Sequence, residues 1–355
     1  PSSISLLLLI LLNFLLAANL GSGNPFLVNS EIIFLVFGPE TRITEIPANP
    51  GPEDRAYIVI KSIIASIGFK YIIFSMIVWI ASYPKCGNTW VRSFLSAYYY
   101  SSDGNFEFEL LKHIKQFPTK EFFGRKLYTV EEASENWLLP QKMIKERKKI
   151  LFLKTHNVYG AYKGKSFTTP EYTLGAINIV RDPRNVLTSL MNHYSLDENG
   201  ALNMIKSLYR NLRDANDNDD FSNYSFISSW SNNYKSWKSA KNIDKILIKY
   251  EDLQNDTENT FAKIIKFTNK LLKNNETVDL EKLKKSVQTT NFNLLKKKEE
   301  SEGFIEGVYS KKERVKKKFF NLGKDNNYKK LLKSETIKEI EKSFYNEMKE
   351  LDYLD

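Results

Sequence analysis

One cysteine and three histidines are present among 355 residues, so the side chains that most often hold soft metals are nearly missing. A lone Cys86 can neither close an intrachain disulfide nor join a multi-cysteine metal site. Nothing in the chain therefore asks for an oxidising compartment, and a cytoplasmic enzyme fits. His113, His156 and His193 include no pair at helical metal-ligand spacing, which removes a zinc hydrolase and leaves no metal to expect. Acidic residues are short too, 42 against 52 basic ones, for a formal charge of +10. That excess suits a polyanionic ligand, nucleic acid or an anionic membrane and chooses none of them. Much of it lies in lysine runs, Lys296 to Lys298 and Lys316 to Lys318, which read as solvated faces.

Long apolar runs are also scarce. Residues 5 to 20 form one, broken only by Asn13, but a membrane span needs roughly 20 residues and a signal peptide would carry a basic flank. Residues 1–75 thus read as a hydrophobic N-terminal extension of open status: a poorly packed extension, an anchor, or upstream sequence foreign to the enzyme. If residues 5–20 are retained, they offer membrane contact and the alternative of a membrane-anchored protein. Met76 opens the expected folded domain, residues 76–355. The chain's 42% hydrophobic and 13% aromatic content is ample for a core.

Three segments carry the chemistry, and each is a short apolar run ending in polar residues. Residues 77 to 81 have the composition of a buried parallel strand, and the sequence from Thr89 reads as a helix. Between them, Ser82-Tyr-Pro-Lys-Cys-Gly-Asn88 makes a tight loop at a helix start, where free N–H groups and the helix dipole favour an anion. Lys85 adds a charge there. Residues 150 to 153 form a second strand, ending in Lys154-Thr155-His156. An imidazole at a strand's C-terminal edge stands where open α/β sheets bind ligands and suits a general base, although a lone His after a strand is more often structural. Residues 176 to 180 form a third strand, followed by Arg181-Asp-Pro-Arg and a helix.

Tyr83-Pro-Lys-Cys-Gly-Asn-Thr-Trp90 resembles the 5'-phosphosulfate loop, Y-P-K-S-G-T-T-W, of sulfotransferases that use 3'-phosphoadenosine 5'-phosphosulfate (PAPS). Cys86 and Asn88 depart from the common Ser and Thr. The resemblance implies that Lys85 contacts the phosphosulfate, that Cys86, Gly87, Asn88 and Thr89 hold the 5'-phosphate, and that Trp90 stacks near the adenine. It extends to Lys154-Thr155-His156, implying His156 as base and Lys154 as partner of the transferring group. Arg181 and Ser189 match the pair that binds the 3'-phosphate in this family. A fourth apolar run from Asp244 to Tyr250 ends in Tyr-Glu-Asp-Leu, similar to the family's adenine contact at Tyr250. Thr290 and Phe292 sit where the family has a Thr-x-Phe pair near the adenine, which implies a cofactor contact for both. Gly323 aligns with the closing Arg-Lys-Gly element, but Asn321 and Leu322 replace its basic pair; Lys316, Lys317, Lys318 and Lys324 are candidates to compensate.

What the resemblance implies is one α/β domain of three layers, a mainly parallel central sheet flanked by helices, like the P-loop nucleotide kinases. The implied activity is sulfuryl transfer from PAPS to an acceptor hydroxyl or amine, with no metal. The acceptor, a small molecule, lipid or saccharide, is expected against residues 101 to 147, rich in Phe, Lys and Glu, and the loop 157 to 170, whose aromatic and basic content suits any of these. Two alternatives stay open. An ATP-dependent P-loop-type kinase would need the Walker pattern, and Gly160 to Ser166 falls one residue short of it. A basic nucleic-acid-binding protein would account for the charge but lacks a recognised module.

Overall fold

Ile77–Ser82 forms strand β1, and all six residues are buried. The computed structural model describes residues 76–146, 150–213, 219–274, 276–304, 306–307, 309–310 and 315–354. The N-terminal extension expected over residues 1–75 lies outside them. Among the described residues no helix is long and apolar enough to cross a membrane.

The strands are β1, then β2 (Lys115–Gln116), β3 (Leu151–Thr155), a hairpin of β4 (Ala161–Tyr162) and β5 (Lys165–Ser166), β6 (Thr173–Val180), a second hairpin of β7 (Asn211–Leu212) and β8 (Ser225–Phe226), β9 (Asp244–Lys249), and an antiparallel pair of β10 (Tyr309–Ser310) and β11 (Val315–Lys316). Five of them make a parallel sheet in the order β2-β3-β1-β6-β9. In β1 the side chains alternate between two cores, Val78 and Ile80 in one, Ile77, Trp79 and Ala81 in the other. β3 and β6 repeat this, with Phe152 and Ile177 on the first face and Leu153 and Ala176 on the second. A strand buried on both faces must be apolar throughout, which is why these runs are continuous rather than alternating.

Helices cover both faces. Asn88–Tyr100 returns from β1 and buries Val91, Phe94 and Leu95 in the first core. Trp237, from the helix Trp230–Lys238, belongs to the second core. Near the C-terminal end two helices, Ser334–Ser343 and Tyr345–Glu350, are joined at Phe344, whose ring packs 5.2 Å from that of Trp230. Gly160 to Ser166, the near miss to a Walker loop, is the β4–β5 hairpin with Lys163 and Gly164 at positive φ in its turn. A turn between two short antiparallel strands has no helix behind it to present amides to a phosphate.

The chain steps from β1 across β3 to β2, returns to β3, and then crosses β1 to reach β6. β1 is therefore flanked by strands on opposite sides of the chain's path, the point in open α/β sheets where ligands bind beyond the C-terminal strand ends.

Candidate active site

Four neighbouring strands end together. Ala81 pairs with Thr155, Ser82 with Ile179 and Val180 with Lys249, so the residues that follow β1, β3, β6 and β9 emerge in one row. Lys85, Lys154, His156, Arg181 and Tyr250 all line one cleft of about 720 Å³, together with Gly87, Asn88, Thr89, Trp90, Ser189 and Phe292.

The loop after β1 owes its shape to backbone that few residues accept. Lys85 has φ 68° and Gly87 φ 97°, and Gly87 caps the helix Asn88–Tyr100, its carbonyl accepting from the Trp90 and Val91 amides at 3.0 and 3.2 Å. A Cβ at Gly87 would stand 2.5 Å from Cδ2 of Tyr250, so glycine here satisfies both the left-handed turn and the approach of that ring. Asn88 Nδ2 donates to the Ile80 carbonyl at 2.9 Å and to Ser82 Oγ at 3.1 Å, tying the helix start back to β1. Cys86 faces the first core and does not line the cleft. Burial pushes its thiol well above the ordinary value, which argues against a nucleophile. Lys85 Nζ lies 3.8 Å over the Phe319 ring. Burial, partly offset by Glu306 and reinforced by Lys154 and Arg181, brings its ammonium down to about 7.

At the tip of β3 the imidazole of His156 is held through one nitrogen, which Ser82 meets with its carbonyl and, at 3.5 Å, with its hydroxyl. Nδ1 lies 2.8 Å from the Ser82 carbonyl. A carbonyl can only accept, so Nδ1 carries the proton and Nε2 keeps its lone pair. The His156 carbonyl accepts from Asn233 Nδ2 at 2.9 Å, fixing the backbone beneath the ring. Burial, with Lys154 beside it, lowers the imidazole to about 3, so the ring is neutral and proton-accepting at neutral pH. Lys154 is buried and pairs with Glu306 at 3.0 Å.

The two arginines after β6 divide their work. Arg184 pairs with Asp182 at 2.7 Å and with Glu341 at 2.6 Å, locking the turn that starts the helix Pro183–Tyr194. Arg181 is left for the cleft. Its NH1 donates to the Lys85 carbonyl at 3.2 Å and to Ser189 Oγ at 3.3 Å, and its guanidinium lies 4.1 Å from the centre of the Tyr250 ring. Its Nε is buried with no partner among the described residues. Glu251 joins the two strand ends, accepting from the Asp182 amide at 3.1 Å and from the Tyr353 hydroxyl at 2.9 Å. Trp90 meets Tyr250 edge to face at 5.9 Å, which sets an aromatic corner beside the arginine.

A model of the sulfotransferase domain matches residues 76–352. The chain belongs to the sulfotransferase family. None of the curated proteins matches it. Among solved structures it is similar to retinol dehydratase in a complex with retinol and PAP, 17% identical, with 77% of this chain and 81% of that one covered at a TM-score of 0.50. A mouse sulfotransferase complexed with PAP is 16% identical, with 79% and 85% covered at a TM-score of 0.44.

In this sulfotransferase the expected residues do not all reach the cleft. Thr290 is fully buried and turns its hydroxyl back to the Ser286 carbonyl at 2.6 Å, capping its own helix. Lys317, Lys318 and Lys324 do not line the cleft; Lys318 pairs with Glu300 at 2.6 Å. The lip they were to supply is made instead by Phe319 to Gly323 and by Asn326, whose Nδ2 donates to Ser189 Oγ at 3.2 Å. Of the two segments expected against an acceptor, only Gln116 lines the cleft among the described residues. The aromatics that made those segments look like a pocket, Phe117, Trp137 and Phe167, fill the second core. The sulfotransferase cleft also holds residues that sequence reading passed over. His193 lines it one turn beyond Ser189 on the same helix, a spacing that would have placed it there, and burial lowers its imidazole to about 3.

Proposed function

We propose that this sulfotransferase takes its sulfuryl group from PAPS and delivers it to a hydroxyl of a polar, hydroxyl-rich acceptor, with His156 as general base. The observation that carries the reading is the His156 ring, held through Nδ1 by the Ser82 carbonyl so that Nε2 is the basic atom in a cleft also lined by Lys85, Lys154 and Arg181. The partnerless Nε of Arg181, next to Ser189, supports a phosphate contact there, and the Trp90 and Tyr250 rings suit an adenine.

PAPS supplies the activated sulfuryl group when bound. Nε2 of His156 takes the acceptor's proton, and the ammonium groups of Lys85 and Lys154 stand against the charge that develops on the transferring and leaving oxygens. An anion brought among these cations raises the basicity of His156 from its resting value, so donor binding readies the base. We keep the cytoplasmic placement on the strength of the single, buried cysteine.

The acceptor class follows from the other end of the cleft. Gln116 pairs in register with Lys154 on the neighbouring strand, and the β7–β8 hairpin attaches beside His156, Phe226 N–H donating to Asn157 Oδ1 at 2.8 Å. These elements and the helix Pro183–Tyr194 contribute Gln116, Asn192, Asn223 and Ser225 to the lining, amides and a hydroxyl that match sugar hydroxyls better than an apolar ring system. Turnover with saccharides should exceed that with simple phenols in a PAPS-coupled assay; the reverse order would remove the saccharide-like class.

Calorimetric titration tests the donor. PAP, 3'-phosphoadenosine 5'-phosphate, is expected to bind selectively over ATP, and equal or absent binding would sink the assignment. The pH dependence has a defined sign. Lys85 titrates near 7 in the free protein and is raised when a phosphate faces it, so above that pH binding must take up a proton. Affinity for PAP therefore falls as pH rises from about 7, by up to about tenfold per unit. An affinity that stays flat between about pH 7 and 9 would take Lys85 out of the phosphate contact.

A further inference from the structure

Among the described residues that line the cleft, Glu306 is the one acidic side chain in a site otherwise furnished for anions. Its two carboxylate oxygens are fully engaged. Oε2 accepts from Thr89 Oγ1 at 2.9 Å and meets Lys154 Nζ at 3.0 Å, while Oε1 pairs with Arg92 NH1. Arg92 stands three residues after Thr89 on the helix Asn88–Tyr100 and is anchored from behind, NH2 donating to the Leu111 carbonyl at 3.0 Å. The carboxylate thus sits at a helix N-terminus, against a loop hydroxyl and against the lysine of β3. Those are the groups through which an incoming phosphosulfate would be held.

We propose that Glu306 is a positioning residue of the donor site, a built-in anion that keeps Thr89, Lys154 and Arg92 assembled in the free enzyme and is exchanged for the 5'-phosphosulfate when donor binds. The inference rests on the PAPS reading above. Lys154 and Arg92 have side chains only 6% and 9% exposed, and two cations so far from water need an anion to hold them in place. Glu306 is itself only 17% exposed, so its bonds to them are formed largely out of water. One carboxylate against two cations leaves a net positive charge, and Lys85 adds to it. A phosphosulfate brings more negative charge and more acceptor oxygens to the same donors, which gives the exchange its direction. A carboxylate with a structural role alone would have no reason to bridge the loop hydroxyl and β3 inside the cleft.

The test is Glu306→Gln in the full chain, with PAP and inorganic sulfate titrated by calorimetry against the wild type. PAP should bind the variant about tenfold tighter or better, because no internal anion has to leave. Sulfate should shift in the same direction. The KM for donor should fall by a larger factor than kcat. The melting temperature should drop in sulfate-free buffer and recover more on adding PAP than the wild type gains. Unchanged or weaker PAP binding in a folded variant overturns the proposal. If Glu306→Gln does not fold, Glu306→Asp, one methylene shorter, should still bind PAP more tightly than wild type, and failure to do so overturns it as well. Should the wild type bind no PAP at all, the donor reading falls, and the sulfate titration still decides the role of Glu306.

Discussion

His156→Ala should bind PAP about as well as the wild type and lose about 10²- to 10⁴-fold in turnover. The two readouts separate because the ring is held through its own nitrogen, while the backbone beneath it is held independently. Removing the imidazole deletes the Nδ1 bond to the Ser82 carbonyl, yet the His156 carbonyl keeps its bond from Asn233 and the β3 register is untouched. Arg181, Ser189, Trp90 and Tyr250, the proposed nucleotide contacts, do not bond to the ring. Burial keeps His156 neutral far below pH 6 in the free protein, so the loss should be the same at pH 6 and pH 8 rather than shrinking on the acid side, as it would for a base that titrates between them. The strongest competitor is His193, a second neutral imidazole lining the same cleft and packed 5.8 Å from Phe319. Full activity in His156→Ala together with collapse in His193→Ala would move the base to the other ring.

The parts of this site that could be read from sequence are the ones whose physics is local. A strand buried on both faces needs a continuous apolar run, and the loops after β1 and β6 announce themselves through Gly87, through Pro183 and through the cations beside them. Hence Lys85, His156 and Arg181 were nameable, and the structure brings all three to one cleft. β9 was legible for its apolar centre although it is the exposed edge of the sheet. The two-residue strands β2, β4, β5, β7, β8, β10 and β11 are too short to show any periodicity, and the sequence gives no sign of them.

What escaped depends on contacts between distant parts of the chain. Glu306 reaches Thr89 across 217 positions, and Asn326 reaches Ser189 across 137. Neither has a neighbour in sequence that hints at its partner. Thr290 failed differently. A threonine at a helix end can bond back to its own last turn, and the carbonyl of Ser286 claimed the hydroxyl that resemblance had assigned to the nucleotide. The aromatic stretch after residue 101 misled for a third reason, since composition cannot tell a ring that lines a cleft from one that fills a core. Phe117 and Phe167 settle against Trp79 at 5.6 and 5.1 Å, on the far face of β1.

Arg181→Ala should weaken PAP by about 100-fold or more and narrow its advantage over ATP, while leaving the chain folded. The guanidinium is buried, so a phosphate bound against it exchanges contacts largely out of water, where truncating one partner of a charged pair is most damaging. Folding does not lean on the same group. The helix start is secured by Arg184 with Asp182 and Glu341, the backbone carbonyl of residue 181 accepts from Trp230 Nε1 at 3.1 Å, and Glu251 holds the Asp182 amide, none of which needs the Arg181 side chain. Selectivity should shrink because Arg181 and Ser189 are the proposed contacts for the 3'-phosphate, a group that ATP does not have. ATP binding should therefore change much less than PAP binding in the same variant. If both nucleotides weaken equally, Arg181 serves the cleft's general charge rather than the 3'-phosphate, and the division of the site into two separate phosphate contacts is wrong.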